Sequence, residues 1–399
     1  MNEVHIRDLR PAWVEVDLDA FEHNLRAIQS VVGPGTGVMA IVKADGYGHG
    51  AVECSRVAQD AGCKMLGVAI LGEALELRRA GLTLPILVLG YTPGEHAEIL
   101  VRNDIDATVY GIDTAKALST AATRLGRQVR IHIKIETGMG RLGLVPGEQL
   151  KAFLREAAAL PNVVIAGVFT HFAASDADKA YTESQFSSFQ RAVKQMSECC
   201  AGPLMRHTAN SAAIMEFPET RLDMVRPGIV IYGYYPSETV MKLAPVKQPL
   251  SLKARIAHVR WARPGETIGY GRTYTTTKPT RVAILPLGYA DGYNRALSNR
   301  GRALVRGHEA RVIGRVCMDQ MMIDVTTVPR VAVDDEAVLI GQQGSHVITA
   351  DDLARAVGTI SHEILTRLGQ RLPRVYKRKG RLYTIDPRTG AEEELQTTR

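Results

Sequence analysis

The chain has 399 residues, is 45% hydrophobic and 23% charged, and carries a formal net charge of +7. This is ordinary globular composition and excludes disorder, while the length favours two domains over one core. No apolar run approaches the ~18 residues of a membrane span. The amino end, Met1 to Pro11, scatters its charges and has no apolar signal core, so a cytoplasmic location is expected. Five cysteines, Cys54, Cys63, Cys199, Cys200 and Cys317, form no C-x-x-C and no zinc-finger spacing with histidine. Reduced thiols and no metal are therefore expected. The positive excess raises nucleic acid as a partner. The one dense basic run, Arg367 to Arg381, lacks interleaved aromatics apart from Tyr376 and is followed by Glu392-Glu393-Glu394. A solvated surface is the simpler account, and an anionic small ligand explains the charge equally well.

In chain order, the first organised stretch is Val38 to Gly50, V-M-A-I-V-K-A-D-G-Y-G-H-G. Val38–Val42 reads as a buried strand after the breaker Gly33-Pro34-Gly35, and it delivers Lys43 at its carboxyl end. A lysine there is costly to desolvate unless its charge is paired or lost. A Schiff base with a carbonyl cofactor is one way to lose it. A loop follows with glycines at 46, 48 and 50, interleaved with Tyr47 and His49.

Further strand-like runs are Leu66–Ile70, Ile86–Leu89, Ala107–Val109, Val129–Ile135, Val163–Phe169, Met205–His207 and Ile229–Tyr232. Helical patterning separates them, as in Glu73–Arg79 and Lys151–Ala159. Eight strand–helix units in about 200 residues predict a (β/α)8 TIM-type barrel, placed at residues 1–243. Beyond it, prolines punctuate short β-rich runs, Leu252–Val259, Arg281–Leu285, Arg311–Val316 and Met322–Val325. These predict a mainly antiparallel β domain over 244–399, interrupted by helices near Ala350–Val357 and Thr359–Leu368.

Barrels carry their functional residues just after the strands. Lys43 and Tyr47 follow the first, Arg141 the fifth, His171 the sixth, and Asn210 and Ser211 the seventh, while Arg226 and Gly228 lead into the eighth. Gly138 to Gly143 matches G-x-G-x-x-G after a strand. However, Pro146-Gly147 breaks any immediate helix and no acidic residue ends a strand some twenty residues on, so a dinucleotide is not expected. Phosphate is better sought at Ser211 and at the backbone N–H groups near Gly228. The β domain adds Gly269-Tyr270-Gly271, Pro286 to Tyr293, and Val316 to Asp319.

Seven segments taken together resemble the fold-type III alanine racemases: V-K-A-D-G-Y-G-H-G at 42–50, K-x-E-T-G-M-G-R-L-G at 134–143, T-H-F-A at 170–173, H-T-A-N-S-A at 207–212, V-R-P-G-I-x-x-Y-G at 225–233, G-Y-G at 269–271 and R-V-C-M-D at 315–319. The resemblance runs from Trp13 to Tyr376. It implies pyridoxal 5′-phosphate as cofactor, carried by Lys43, which is also one of two catalytic bases. Tyr270 resembles the other base, reaching the cofactor from a neighbouring subunit of a homodimer. The resemblance implies that Tyr47, Ser211, Tyr376 and the N–H groups of Gly228 and Ile229 hold the phosphate, with Asn210 beside them. Arg226 would face the pyridine nitrogen and His171 would link it towards Tyr270. Arg141 and Met318 would seat the substrate carboxylate, Tyr289 would line the entrance, and Lys134 matches a lysine often carbamylated in the family. The implied activity interconverts L- and D-alanine and supplies D-alanine for peptidoglycan. A broader alanine/serine racemase or a related barrel decarboxylase is the alternative, the latter disfavoured by Arg226 where decarboxylases place an acid. Gly46 and Glu136 depart from the commoner alanine and aspartate, and neither is expected to touch a catalytic role, though both are expected to alter local packing near the cofactor.

Two bases on opposite faces suit a racemase, since one base would have to swing between them. Tyr270 must ionise to accept a proton, and a free phenol has a pKa near about 10. Positive charge from His171 and Arg226 is expected to assist.

Overall fold

The computed structural model describes residues 4–5, 10–198, 203–385 and 391–396. Cys199, Cys200 and most of the first nine residues lie outside the described residues. The chain divides into two compact units, one of residues 21–46 and 51–247, the other of residues 1–20, 47–50 and 248–399.

The first unit is an eight-stranded parallel barrel. Its strands run in order Gly37–Ile41, Met65–Val68, Ile86–Val88, Ile105–Val109, Val129–Lys134, Val163–Phe169, Met205–His207 and Met224–Val225, the last pairing back onto the first. Between the seventh and eighth strands, Asp223 N–H donates to the Arg206 carbonyl and Arg226 N–H to that of Ala209. Strands such as Met65–Val68 and Ile86–Val88 are buried throughout, as expected where helices cover a parallel sheet. The helices are one-faced. Glu148–Ala157 buries Leu150, Phe153, Leu154 and Ala157, the i, i+3, i+4, i+7 stripe that packs on a sheet.

One predicted strand is misplaced. Ile229–Tyr232 is a 3-10 turn, and the eighth strand is the shorter Met224–Val225. A four-residue apolar run is equally compatible with a buried helical turn, and periodicity cannot separate the two. The shift matters because Arg226 now immediately follows a strand, as Lys43 nearly does.

The second unit is a mainly antiparallel sheet. Its central order is Arg374–Arg378, Ala12–Asp17, Leu250–Arg255, Glu336–Gln343, Arg302–Val305, His308–Val312, Met321–Asp324, Thr280–Leu285 and His258–Ala262. Two helices, Ala350–Val357 and Ser361–Thr366, interrupt the strand series where the pattern predicts them. The strand Ala12–Asp17 pairs antiparallel with Leu250–Arg255 and parallel with Arg374–Arg378. The strand Ala12–Asp17 thus belongs to the β unit, unlike the single division at 243/244. Strand pairing is non-local, and a six-residue strand carries no mark of its partner.

Among the described cysteines, Cys54 and Cys63 are buried free thiols and Cys317 is half-buried. The basic run is largely paired within its own unit: Arg367 with Glu363 at 2.9 Å, Arg371 with Asp319 at 2.7 Å and Arg381 with Glu392 at 2.7 Å. Among the described residues, no helix is long and apolar enough to cross a membrane.

Candidate active site

The carboxyl ends of the barrel strands gather a cationic cluster. Lys43 follows the first strand, and burial first, then the Arg141 guanidinium, lowers its amine from the ordinary lysine value, with Glu73 opposing. Lys134 ends the fifth strand with only 3% exposure. Burial, then Arg141 and Arg226, bring it down to about 8. Its ammonium lies 5.5 Å from the centroid of Phe169. Two cations share that ring, since the Arg226 guanidinium lies 5.4 Å from the same centroid, an arrangement that offsets part of the cost of burying charge.

Arg226 is 4% exposed, and burial lowers it to about 9, still protonated at neutral pH. Nη1 donates to the His207 carbonyl at 2.5 Å and to His207 Nδ1 at 3.0 Å. Nη2 donates to the carbonyls of Thr170 at 2.7 Å and Thr208 at 3.0 Å, with His171 Nδ1 at 3.4 Å. No hydrogen bond from Nε is found among the described residues, so this buried cation keeps one N–H for a ligand. That is what a pyridine nitrogen would take, and the residues present fit pyridoxal 5′-phosphate in this respect.

His171 corrects an expectation. Burial, followed by Arg226, Arg141, Lys134 and Lys43, holds its imidazole well below the ordinary histidine value. It is neutral at physiological pH, so positive charge near this rim comes from the arginines and not from His171.

Arg141 is presented by a loop that the sequence pattern only half explains. The Glu136 carboxylate accepts N–H bonds from Gly138 at 2.5 Å, Gly140 at 3.1 Å and Arg141 at 3.1 Å. Burial opposes its ionisation, but these backbone donors outweigh it and hold Glu136 below the usual carboxylate range. The glycines of 138–143 thus wrap a protein carboxylate rather than a phosphate. The departure at 136 shapes the loop carrying Arg141, so it is not remote from the site. The Arg141 guanidinium is exposed and makes no hydrogen bond among the described residues.

After the seventh strand, Asn210 caps the helix Ser211–Glu216, its Oδ1 accepting from Ala213 N–H at 3.0 Å and Ser175 Oγ at 2.9 Å. Ser211 Oγ accepts from Gly228 N–H at 2.9 Å, which leaves its own O–H free to donate. Gly228 and Ile229 are buried at the start of the 3-10 turn.

Sequence reading missed a polar chain behind Arg226. His207 Nε2 lies 2.9 Å from His132 Nδ1, His132 Nε2 lies 3.6 Å from Asp106 Oδ2, and Arg130 binds Asp106 at 2.9 Å. Arginine only donates, so His207 Nδ1 must accept. Its Nε2 then carries the proton and His132 Nδ1 accepts in turn. The donor-only arginine sets both tautomers. The alternate residues Ile131, Ile133 and Ile135 mark His132 as lying on the other face of its strand, a signal that was available.

The β unit holds the remaining candidates. Tyr47 and Tyr376 are buried, and burial raises the Tyr47 phenol so that it stays protonated. The alternate glycines now have a cause. A Cβ at Gly48 would strike the Leu365 carbonyl and one at Gly50 the Tyr376 hydroxyl. Arg374 also donates to the Gly48 carbonyl at 3.2 Å. Tyr270, Met318 and Tyr289 are instead presented outward at 73%, 52% and 40% exposure. Tyr289 N–H and Ala290 N–H donate to the carbonyls of Cys317 and Met318, both at 3.0 Å, placing the Tyr289 and Met318 segments side by side. Asp291 fixes this corner: it is fully buried and takes Arg10 in a fork at 2.6 and 2.8 Å. Neither Arg10 nor Asp291 was singled out from the sequence.

Two family models match the chain, the alanine racemase N-terminal domain over residues 16–236 and the alanine racemase C-terminal domain over residues 249–376. The alanine racemase of Desulforamulus reducens is 47% identical over 92% of this chain and 99% of its own. That of Desulfovibrio desulfuricans is 48% identical over 92% of this chain and 98% of its own. Among solved structures, the alanine racemase of Clostridium difficile 630 superposes with a TM-score of 0.89 at 39% identity, covering 93% of this chain and 97% of its own. A histidine racemase from Leuconostoc mesenteroides shares the fold with a TM-score of 0.85 at 31% identity over 92% of this chain and 98% of its own. With both halves of the chain matched in order, it belongs to the alanine racemase family and is an isomerase that interconverts L- and D-alanine.

Proposed function

We propose that this racemisation uses two bases, the Lys43 amine and the Tyr270 phenol, acting on opposite faces of pyridoxal 5′-phosphate, with Tyr270 supplied by a second copy of the chain. The observation that carries the cofactor is Arg226, a buried cation with Nη1 and Nη2 engaged by the protein and its Nε–H unclaimed. When bound, pyridoxal 5′-phosphate supplies an electron sink that acidifies the substrate's α C–H.

Lys43 then takes or returns the α-proton at Nζ, a task suited to an amine whose pKa burial and Arg141 depress. Tyr270 performs the same exchange at its hydroxyl from the other face. Arg226 would donate its Nε–H to the pyridine nitrogen and, staying protonated, would leave that nitrogen without a proton of its own. Held by that bond, the group would supply a weaker electron sink than one with a protonated ring nitrogen. Ser211 would donate its free O–H to the phosphate, alongside Tyr47, Tyr376 and the Ile229 N–H, while the Gly228 N–H, expected from the sequence to do the same, is held by Ser211 Oγ. Asn210 holds the Ser211 helix start, and His171 joins Arg226 to Tyr270 as a neutral link. Arg141 and Met318 seat the alanine carboxylate, with Tyr289 at the entrance. Lys134, at about 8, keeps a neutral fraction able to take up carbon dioxide as a carbamate facing Arg141. The product D-alanine serves peptidoglycan synthesis in the cytoplasm.

Mixing inactive Lys43→Ala and Tyr270→Phe chains tests the shared site. A heterodimer rebuilds one intact site of two, so a statistical mixture should recover about a quarter of wild-type activity. No recovery after subunit exchange, checked by sedimentation, overturns the assignment of Tyr270 to the partner.

A further inference from the structure

The residue after Lys43 begins a turn of the wrong hand. Ala44, Asp45 and Gly46 have φ/ψ of 52/52°, 53/48° and 58/43°, a left-handed helical turn in which only one residue is glycine. Ala44 and Asp45 carry a Cβ that disfavours this conformation, so the turn persists only if its surroundings hold it. Three bonds do so. Gly46 N–H donates to the Val42 carbonyl at 2.9 Å, and Ala51 N–H to Asp45 Oδ1 at 2.9 Å. The third comes from Glu73, in the first turn of the helix Leu71–Arg79. Its Oε1 accepts from Ala44 N–H at 2.7 Å, while Oε2 accepts from Ala69 N–H at 2.7 Å and Ile70 N–H at 3.3 Å. One carboxylate therefore ties the exit of the first barrel strand to the exit of the second.

We propose that Glu73 is a positioning residue for Lys43, holding the left-handed turn that fixes the lysine and supplying the negative charge that opposes its cationic neighbours. The proposal rests on the reading of Lys43 as base and cofactor carrier. The charged and titratable groups acting around Lys43 are Arg141 and Glu73 directly, with Lys134 and His171 feeling its charge in turn. Glu73 is the anion among them that favours the protonated amine. Both of its oxygens are engaged as acceptors. A glutamine has a single acceptor oxygen and cannot serve both strand exits, and it also removes the charge.

The test is Glu73→Gln in the full-length chain, read two ways. In protein freed of cofactor with hydroxylamine, acetic anhydride labelling of Lys43 is followed against pH by peptide mass spectrometry. Losing the Glu73 charge should move the labelling midpoint to lower pH. In cofactor-loaded protein, kcat should fall roughly tenfold while KM changes by less than about threefold. Adding Ala44→Gly separates the two roles. Glycine accepts the left-handed backbone without strain, so Ala44→Gly with Glu73→Gln should regain kcat while the midpoint stays low. If Glu73→Gln fails to fold, Glu73→Asp, which keeps the charge but not the reach, should retain the midpoint and lose kcat. A midpoint unmoved by Glu73→Gln, or a kcat loss that Ala44→Gly does not relieve, overturns the proposal. If borohydride fixes no pyridoxal 5′-phosphate on Lys43 of the wild-type chain, the cofactor reading fails, whereas the labelling midpoint still judges Glu73.

Discussion

The buried cations of the barrel and the outward side chains of the β unit are presented in opposite ways. The barrel buries two of its cations: Lys134 is 3% and Arg226 4% exposed, and burial lowers both, with Arg141 and Arg226 lowering Lys134 further. The β unit presents Tyr270 at 73% and Met318 at 52% exposure, the Met318 segment being paired with the Tyr289 turn that Asp291 and Arg10 brace. A barrel rim can set the electrostatics of a site unaided, because its strand ends converge. An exposed tyrosine gains its chemical environment only from what docks on it, which is why the proposed second base is assigned to a partner chain.

Substitutions break this contrast by different amounts. Lys43→Ala should have the largest effect, a kcat loss on the order of 10^4-fold or more, with no pyridoxal 5′-phosphate recovered on the chain after borohydride. A covalently retained cofactor would end the reading of Lys43. Tyr270→Phe should slow α-deuterium exchange by about 10^2 to 10^4-fold for one enantiomer and far less for the other. Because Tyr270 is exposed within its unit, its removal should change stability by no more than about 0.5 kcal/mol. Equal losses for both enantiomers would defeat the two-base scheme.

Lys134 sharpens the barrel side. The unfolded chain keeps this proton up to the ordinary lysine value of 10.5, the folded chain only to about 8. More protons are bound unfolded between those limits, so Lys134 makes stability rise with pH across them and is destabilising below. Lys134→Met, measured by urea unfolding with carbon dioxide excluded, should gain on the order of 3 kcal/mol below that window and nothing above it. A gain independent of pH would assign the effect to packing alone. Asn210→Ala should cost about 1 kcal/mol of stability, the usual worth of a lost helix cap. No change at all in its unfolding midpoint would remove the capping role.

Much of the architecture was legible because it rests on local pattern. Buried strands alternating with one-faced helices announce a barrel, and the rim residues Lys43, Arg141, His171, Ser211 and Arg226 follow from strand ends. The roles assigned to Tyr270, Tyr289 and Met318 came from resemblance, since nothing in G-Y-G says which surface it serves. The eighth strand was misread because four apolar residues fit a buried turn as well as a strand. Glu136 looked incidental because a carboxylate wrapped by its own loop leaves only glycines as a trace.

The sequence by itself determined the periodicities, the residue types available at each strand end, and the glycines where a side chain could not stand. Tertiary structure alone decided that Ala12–Asp17 joins the β sheet, that His171 is neutral, and that Arg226 retains one free N–H. It also decided that Glu73 grips the left-handed turn beside Lys43. Hydrogen-bond partners and desolvation depend on groups far apart in the chain, whereas propensity and patterning depend on neighbours within a few residues.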